Sequence, residues 1–287
     1  VNNLNKICPI CQCKLSAGYH PWHLLCKTCG YEMADLPQVI NSHVAHQLID
    51  EESREAALRA TRMLNFNELL KCIKLLKPQG ARLLDVGCAH GWFLDMARNY
   101  YQVLGLEPDK SIFESVSHQG LPIRNGYFPN ALYLDERFDI VVFNDVFEHI
   151  QNIKETLLSC HNHLNTDGLL VLNLPSSNGL FYKWSKIFNK FGFSQFFERM
   201  WQKDLPSPHL HYFNLYNLVK FLESNGFDVK FKGRLSTLQF SGLYSRVSYA
   251  GRMNGMAQIF IYICLILVLP ILRVFPSDII YVVSVRK

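Results

Sequence analysis

Cys8-Pro9-Ile10-Cys11 and Cys26-Lys27-Thr28-Cys29 form two C-x2-C pairs fourteen residues apart, with Pro9 and Gly30 as turn formers that fold each pair into a knuckle. Four soft thiolates at this spacing suit tetrahedral zinc, and a closed four-sulfur shell leaves no position for water or substrate, so the expected role is structural. Cys13 is a substitute ligand, while His20 and His23 read as exposed loop residues. A second constellation is Asp85-Val86-Gly87-Cys88-Ala89-His90-Gly91, where a short apolar run passes through small residues into a helical pattern at Trp92, Phe93, Met96 and Ala97. Such a turn lets a ligand approach the backbone, and Asp85 can hold a positive or hydrogen-bonding group through turn amides or water. Glu107, at the tip of the next apolar run, is placed to accept both ribose hydroxyls of an adenosine. Three histidines can exchange a proton near neutral pH. His149 follows a fourth strand, and His209 and His211 alternate within Pro206-Ser207-Pro208-His209-Leu210-His211-Tyr212-Phe213, where prolines fix the backbone so that both could share a side.

These groups need a scaffold, and the 287 residues hold one large domain plus a small appendage. With 49% hydrophobic and 18% charged residues the chain is globular rather than disordered. The formal charge of +5, lowered by two if four thiolates hold a zinc ion, is too mild to argue for a nucleic-acid partner. Nine cysteines, an odd number crowded toward the start, suit a reducing, cytoplasmic setting, and the first residues show no apolar signal segment. The run from Asp50 to Leu76 reads as a helix that opens with acids at the positive end of its dipole. Lys77-Pro78-Gln79-Gly80 stops it. Strands are expected at 82–86, 103–107, near Ile123, from Phe138, at 169–175, at 228–231 and at 279–285, with a helix over 157–164 and a turn at Asp167-Gly168.

The glycine turn resembles the first motif, D-x-G-x-G-x-G, of class I S-adenosylmethionine-dependent methyltransferases, with Ala89 at the middle glycine. Phe138-Asp139-Ile140-Val141 followed by Asn144, Asp145, Glu148 and His149 is similar to the fourth-strand motif of that family, and residues 164–174 to its L-x-x-G-G-x-L passage. The resemblance implies an α/β fold: a doubly wound, seven-stranded Rossmann-like sheet whose last two strands pair antiparallel, carrying a small N-terminal zinc ribbon. It implies that Asp85, Gly87, Cys88, Ala89, Gly91, Glu107, Asn144, Asp145 and Val146 face S-adenosylmethionine, with Asn125 and Gly126 near the adenine, where the family commonly has an acid. By the same likeness His149, His209 and His211 border the acceptor. Asp145, Glu148 and His149 also resemble a divalent-metal site of quinone O-methyltransferases, with Mg2+ as the less favoured cofactor reading beside zinc at Cys8, Cys11, Cys26 and Cys29.

The expected organisation is a ribbon over 1–36, a helical linker over 37–80 and a methyltransferase domain over 81–287. Nine aromatics crowd 179–201, and Lys183, Lys186 and Lys190 form a basic stripe beside them, within a lid spanning 176–213. An apolar insertion spans 236–278 and contains fourteen uncharged residues, Ile259 to Leu272. That is short for a span, and with both ends tethered to one sheet the expectation is shallow, monotopic contact at the inner face of a membrane, a core helix or a partner surface. The order of motifs resembles bacterial ribbon-bearing methyltransferases of saccharide or lipid biosynthesis, which implies a saccharide or lipid-linked saccharide acceptor. The alternatives are a quinone precursor, ribosomal RNA, or a non-catalytic module that holds the cofactor and recruits partners.

Overall fold

The computed structural model describes residues 6–39, 51–239, 243–244, 247, 255–272 and 274–287. Asp50, the expected first residue of the opening helix, and Arg273 lie outside the described residues, as do 1–5 of the ribbon, 40–49 of the linker, and 240–242, 245–246 and 248–254 of the insertion. The ribbon contributes β1 (Ser16–Ala17), β2 (His23–Leu25) and β3 (Glu32–Ala34), an antiparallel meander. Helix α1 (Glu51–Leu76) then leads into β4 (Arg82–Val86), α2 (Trp92–Ala97), β5 (Gln102–Glu107), α3 (Lys110–Ser117), β6 (Ile123–Asn125) and β7 (Phe138–Asn144). After a 3-10 turn at Phe147–His149 come α4 (Ile153–His163), β8 (Leu164–Pro175), α5 (Leu180–Lys190) and α6 (Ser194–Met200). The chain ends with β9 (His211–Tyr212), α7 (Leu215–Glu223), β10 (Phe227–Leu235), α8 (Gly255–Leu272) and β11 (Ile279–Arg286).

The main sheet runs β10-β11-β8-β7-β4-β5-β6. Its five strands from β8 to β6 are parallel, and β11 is antiparallel to both β8 and β10, as expected for the doubly wound fold. Leu83, Leu84, Ile140 to Phe143 and Leu169 to Leu172 are buried, which explains why these strands read as continuous apolar runs rather than alternating ones. One face packs on α1 through Phe66, Leu69, Leu70 and Ile73; the other packs on α4 and α7. The expected turn at Asp167-Gly168 falls inside β8, where Asp167 takes a left-handed conformation and the register with β7 slips between Phe138 and Ile140.

Two features are decided by packing. The ribbon meander gains its fourth strand, β9, from the segment between α6 and α7. The side chains of Asn214 and Asn217 both donate to the Cys29 carbonyl, so the start of α7 is bolted to the second knuckle. The lid carries two helices, α5 and α6, separated at Gly192, whose φ of 92° suits glycine.

Candidate active site and cysteine cluster

At the carboxyl end of β4 the chain turns through Gly87, Ala89 and Gly91, with φ of 69°, 44° and 73°. A Cβ on Gly87 would lie 2.7 Å from a Val146 methyl, and one on Gly91 2.5 Å from a Leu121 methyl, so neither position accepts a side chain. Ala89 adopts a conformation L residues ordinarily avoid. It is held there because its N–H donates to Glu107 Oε2 at 2.9 Å. Glu107 Oε1 accepts from the Asp109 amide at 2.8 Å, so the carboxylate at the tip of β5 is clamped by two backbone donors. Asn125 donates to the Glu107 carbonyl at 2.9 Å, and Gly126 N–H donates to the same oxygen at 3.1 Å; both secure the strand tip. Cys88 packs its side chain with Leu94, Val116 and Leu121, and burial pushes its thiol far above the usual range.

Asp85 is 1% exposed, and its Oδ1 completes no hydrogen bond. Burial pushes its carboxyl up to about 8, an effect that neighbouring Asn144 opposes and the charge of Glu107 reinforces. The native state therefore holds a proton that the unfolded chain has already released. Stability from this group is fully present near pH 4 and declines as pH rises toward 8. Asp85→Asn is expected to remove that slope, so that urea denaturation from pH 5 to 8 gives a flatter profile than wild type. Identical slopes in the two proteins would contradict the assignment.

The tip of β7 completes the crevice. Asp145 has φ 54°, its N–H donates to the Asn173 carbonyl at 2.8 Å, and its carboxylate meets Arg62 at 3.3 Å. Arg62, Phe66, Asp85, Gly87, Trp92 and Asn144 are among the residues lining a narrow crevice at this point. Arg62 and Asn173 were invisible to motif reading, because α1 and β8 reach the site only through the tertiary fold.

Beyond Asp145, His149 and His209 meet with ring centroids 4.8 Å apart. Glu148 lies between them, 3.9 Å from His149 Nε2 and 4.0 Å from His209 Nε2. It is 1% exposed, neither carboxylate oxygen has a hydrogen-bond partner, and burial together with the charge of Asp145 holds its carboxyl well above the usual range. His149 Nδ1–H donates to the Pro208 carbonyl at 2.8 Å, which leaves Nε2 as the basic nitrogen. The ligand atoms of Glu148, His149 and His209 lie within 4.8 Å of one another, so the metal-capable group here contains His209, whereas the expected trio had Asp145. His211 lies apart from His209: its Nδ1 meets the Tyr31 hydroxyl and its Nε2 donates to the Ile150 carbonyl at 2.8 Å. Burial pushes it down to about 4, which keeps it neutral as a joint between ribbon and domain.

In the ribbon, the Sγ atoms of Cys8, Cys11, Cys26 and Cys29 lie within 4.8 Å of one another. Cys8 and Cys29 are 3.6 Å apart and Cys11 and Cys26 3.3 Å, far beyond a disulfide and near the ~3.8 Å edge of a thiolate tetrahedron around zinc. Burial raises Cys26, but the Cys29 amide, the Cys11 thiol and the Thr28 amide outweigh it and bring it down to about 7. His23 corrects the sequence reading, since it is fully buried, with Nε2 2.9 Å from Glu32. Glu32 also accepts from the Tyr182 hydroxyl at 2.8 Å and from Lys186, so Lys186 leaves the basic stripe and ties the lid to the ribbon.

Curated relatives resemble this chain in part. The bovine protein named "Ubiquinone biosynthesis O-methyltransferase, mitochondrial" is 27% identical over 222 residues, covering 70% of this chain and 58% of its own length. The chain thus spans less than two thirds of that relative. Among solved structures, an S-adenosylmethionine-dependent methyltransferase from Thermotoga maritima aligns with a TM-score of 0.54 at 15% identity, over 85% of this chain and 99% of its own. One from Archaeoglobus fulgidus gives 0.53 at 18%, over 83% and 100%. Both share the fold. A family model described as a methyltransferase domain matches residues 51–230, and the chain belongs to that family.

Proposed function

We propose that this protein transfers the methyl group of S-adenosylmethionine to an oxygen of a small amphiphilic acceptor. The observation that carries the reading is the clamped Glu107 carboxylate opposite a turn of three left-handed residues, Gly87, Ala89 and Gly91. Glu107 would hold the ribose hydroxyls; a carboxylate offers about four acceptor sites, enough for both amides and hydroxyls. The buried Asp85 and the half-buried Asn144, which lack completed hydrogen bonds at Oδ1 and Nδ2, suit the polar end of the same ligand. When bound, S-adenosylmethionine supplies an electrophilic methyl on a sulfonium. His149 Nε2 then takes the proton of the acceptor hydroxyl, with the buried, neutral Glu148 carboxyl as its neighbour at 3.9 Å. His209 fixes the far wall through its contact with Tyr212 and Gln202. Zinc is the metal we assign to the four ribbon thiolates, on their number, spacing and near-tetrahedral edges.

The relatives named for ubiquinone biosynthesis support a quinone-precursor ring hydroxyl over a saccharide. A saccharide hydroxyl is the second reading, resting on the ribbon-bearing motif order. Incubation with methyl-labelled S-adenosylmethionine and, in parallel, catechol-type phenols and cell-extracted glycolipids separates the two. Glu107→Ala is expected to weaken S-adenosylmethionine binding by about ten- to a hundredfold in calorimetry, the scale of lost hydrogen bonds to a charged group. Unchanged affinity would remove the ribose assignment.

A further inference from the structure

The insertion between β10 and β11 contains a helix whose described residues are mostly exposed. Over the eighteen residues of α8, Gly255–Leu272, there is no charged side chain, and Leu269 alone is buried among the described residues of the helix. Phe260 is 69% exposed and Leu267 70%, with Met256, Ile259, Ile263 and Ile271 also at least half exposed. Water does not tolerate a continuous apolar face of this size on a soluble monomer. A core role for the helix is therefore ruled out by its own surface.

The register sets where this face sits. Leu235, the last residue of β10, pairs with Ile279, the first of β11, and Ile279 pairs with Pro175 at the end of β8. The excursion thus leaves and re-enters at the carboxyl edge of the sheet, the edge that carries Gly87, Glu107 and Asn144. Both ends lie on one side, so α8 cannot cross a bilayer as a single span, although among the described residues it alone is long and apolar enough to do so. At about 1.5 Å per residue it is ~27 Å long, which lets it lie along a leaflet. Beside its C-terminal end stands the start of α5: Leu180 N–H donates to the Pro276 carbonyl, and Asp278 accepts from the amides of Phe181 and Tyr182. From there α5, α6 and the link between them expose Trp184, Ile187, Phe188, Phe191, Phe193 and Phe196, flanked by exposed Lys183, Lys190 and Arg199. Aromatic rings backed by cations are what an anionic headgroup layer receives.

Between the two surfaces lies the larger cavity, about 940 Å3 with its open mouth, lined by Leu180, Phe181, Leu235, Leu269, Leu272 and Phe275 among others. Ser236, also on its wall, exchanges two hydrogen bonds with Asn65, whose neighbour Phe66 lines the cofactor crevice. One turn of α1 therefore separates the apolar cavity from the place assigned to the cofactor.

We propose that α8 and the aromatic face of α5 and α6 dock monotopically into an anionic leaflet, and that the cavity at the end of α8 receives the hydrocarbon tail of the acceptor from that leaflet. The tail assignment rests on the methyltransferase reading; the docking does not. Charge complementarity selects a membrane over a second copy of the chain, because two like basic faces would repel.

Flotation of the full chain with phosphatidylcholine vesicles, alone and with phosphatidylglycerol added, tests the docking. Co-flotation is expected with the anionic vesicles, reduced at least fivefold by high salt and abolished in the triple variant Phe260→Glu, Ile263→Glu, Leu267→Glu. Those side chains are exposed or partly so, and S-adenosylmethionine affinity should stay within twofold. Wild type that fails to float, or a triple variant that floats equally, overturns the docking, as does a dimer in gel filtration that the triple variant converts to monomer. For the cavity, a fluorescent polyene fatty acid serves as probe. Leu238→Trp, on the cavity wall outside α8, is expected to weaken its binding at least fivefold with flotation unchanged, and equal binding would overturn the tail site. Loss of label transfer with flotation and probe binding intact would instead count against the enzymatic reading alone.

Discussion

Replacing Cys29 with serine is expected to drop bound zinc well below one per chain by elemental analysis and to lower the unfolding temperature by more than ten degrees. Structural zinc contributes an apparent ~10–16 kcal/mol in isolated ribbons, comparable to or larger than the ~5–15 kcal/mol net stability of a whole domain. Here the ribbon is not an isolated module. Cys8, Ile10, Leu24, Cys26, Cys29 and Tyr31 belong to one continuous core with Phe213, Leu218 and Phe221. The knuckle carbonyl of Cys29 receives Asn214 and Asn217, and β3 pairs with β9. Loss of the metal should therefore propagate into residues 209–217, and with them into the placement of His209. Amide hydrogen exchange after chelation reads this out: faster exchange across 211–218 is expected, with β4 and β5 little changed. Protection that stays intact at 211–218 would show the ribbon to be energetically separate.

The second large effect concerns the proton. His149→Ala is expected to lower kcat by about 10²–10⁴-fold, the usual range for a positioned general base, while S-adenosylmethionine affinity stays within twofold. The reason lies in the hydrogen bond to the Pro208 carbonyl, which fixes the proton on Nδ1 and turns Nε2 toward Glu148. A purely structural His149 would instead change stability and leave the pH-rate profile alone. The profile distinguishes the two, since His149→Gln should keep the fold and lose the acidic limb. A kcat within threefold of wild type would move the base to another group. His211→Gln is the contrasting variant. With both ring nitrogens engaged by Tyr31 and Ile150, it should cost stability and alter the rate only through the ribbon joint.

Everything settled by local covalent geometry was legible in the sequence. Two C-x2-C pairs bring their sulfurs within reach in any fold that closes the intervening loop, and the four thiolates do meet. A glycine-rich strand-to-helix turn needs positive φ at fixed offsets, and Gly87, Ala89 and Gly91 supply it. Glu107 follows from strand length; the apolar runs at 228–231 and 279–285 mark two strands, and the family resemblance supplies their antiparallel pairing. Meetings between distant segments were not legible, because no spacing rule connects residues whose separation is set by the chain's path. Glu148 and His209 stand sixty-one residues apart and share one buried pocket only because the segment that becomes β9 folds back beneath the ribbon. His23 and Lys186 looked solvated for the same reason: their common partner, Glu32, is supplied by β3 and approached from the lid. The apolar run at 259–272 shows the limit most plainly. Its composition fits a core helix or a lipid surface equally, and what separates them is burial, a property of neighbours that only the tertiary structure provides.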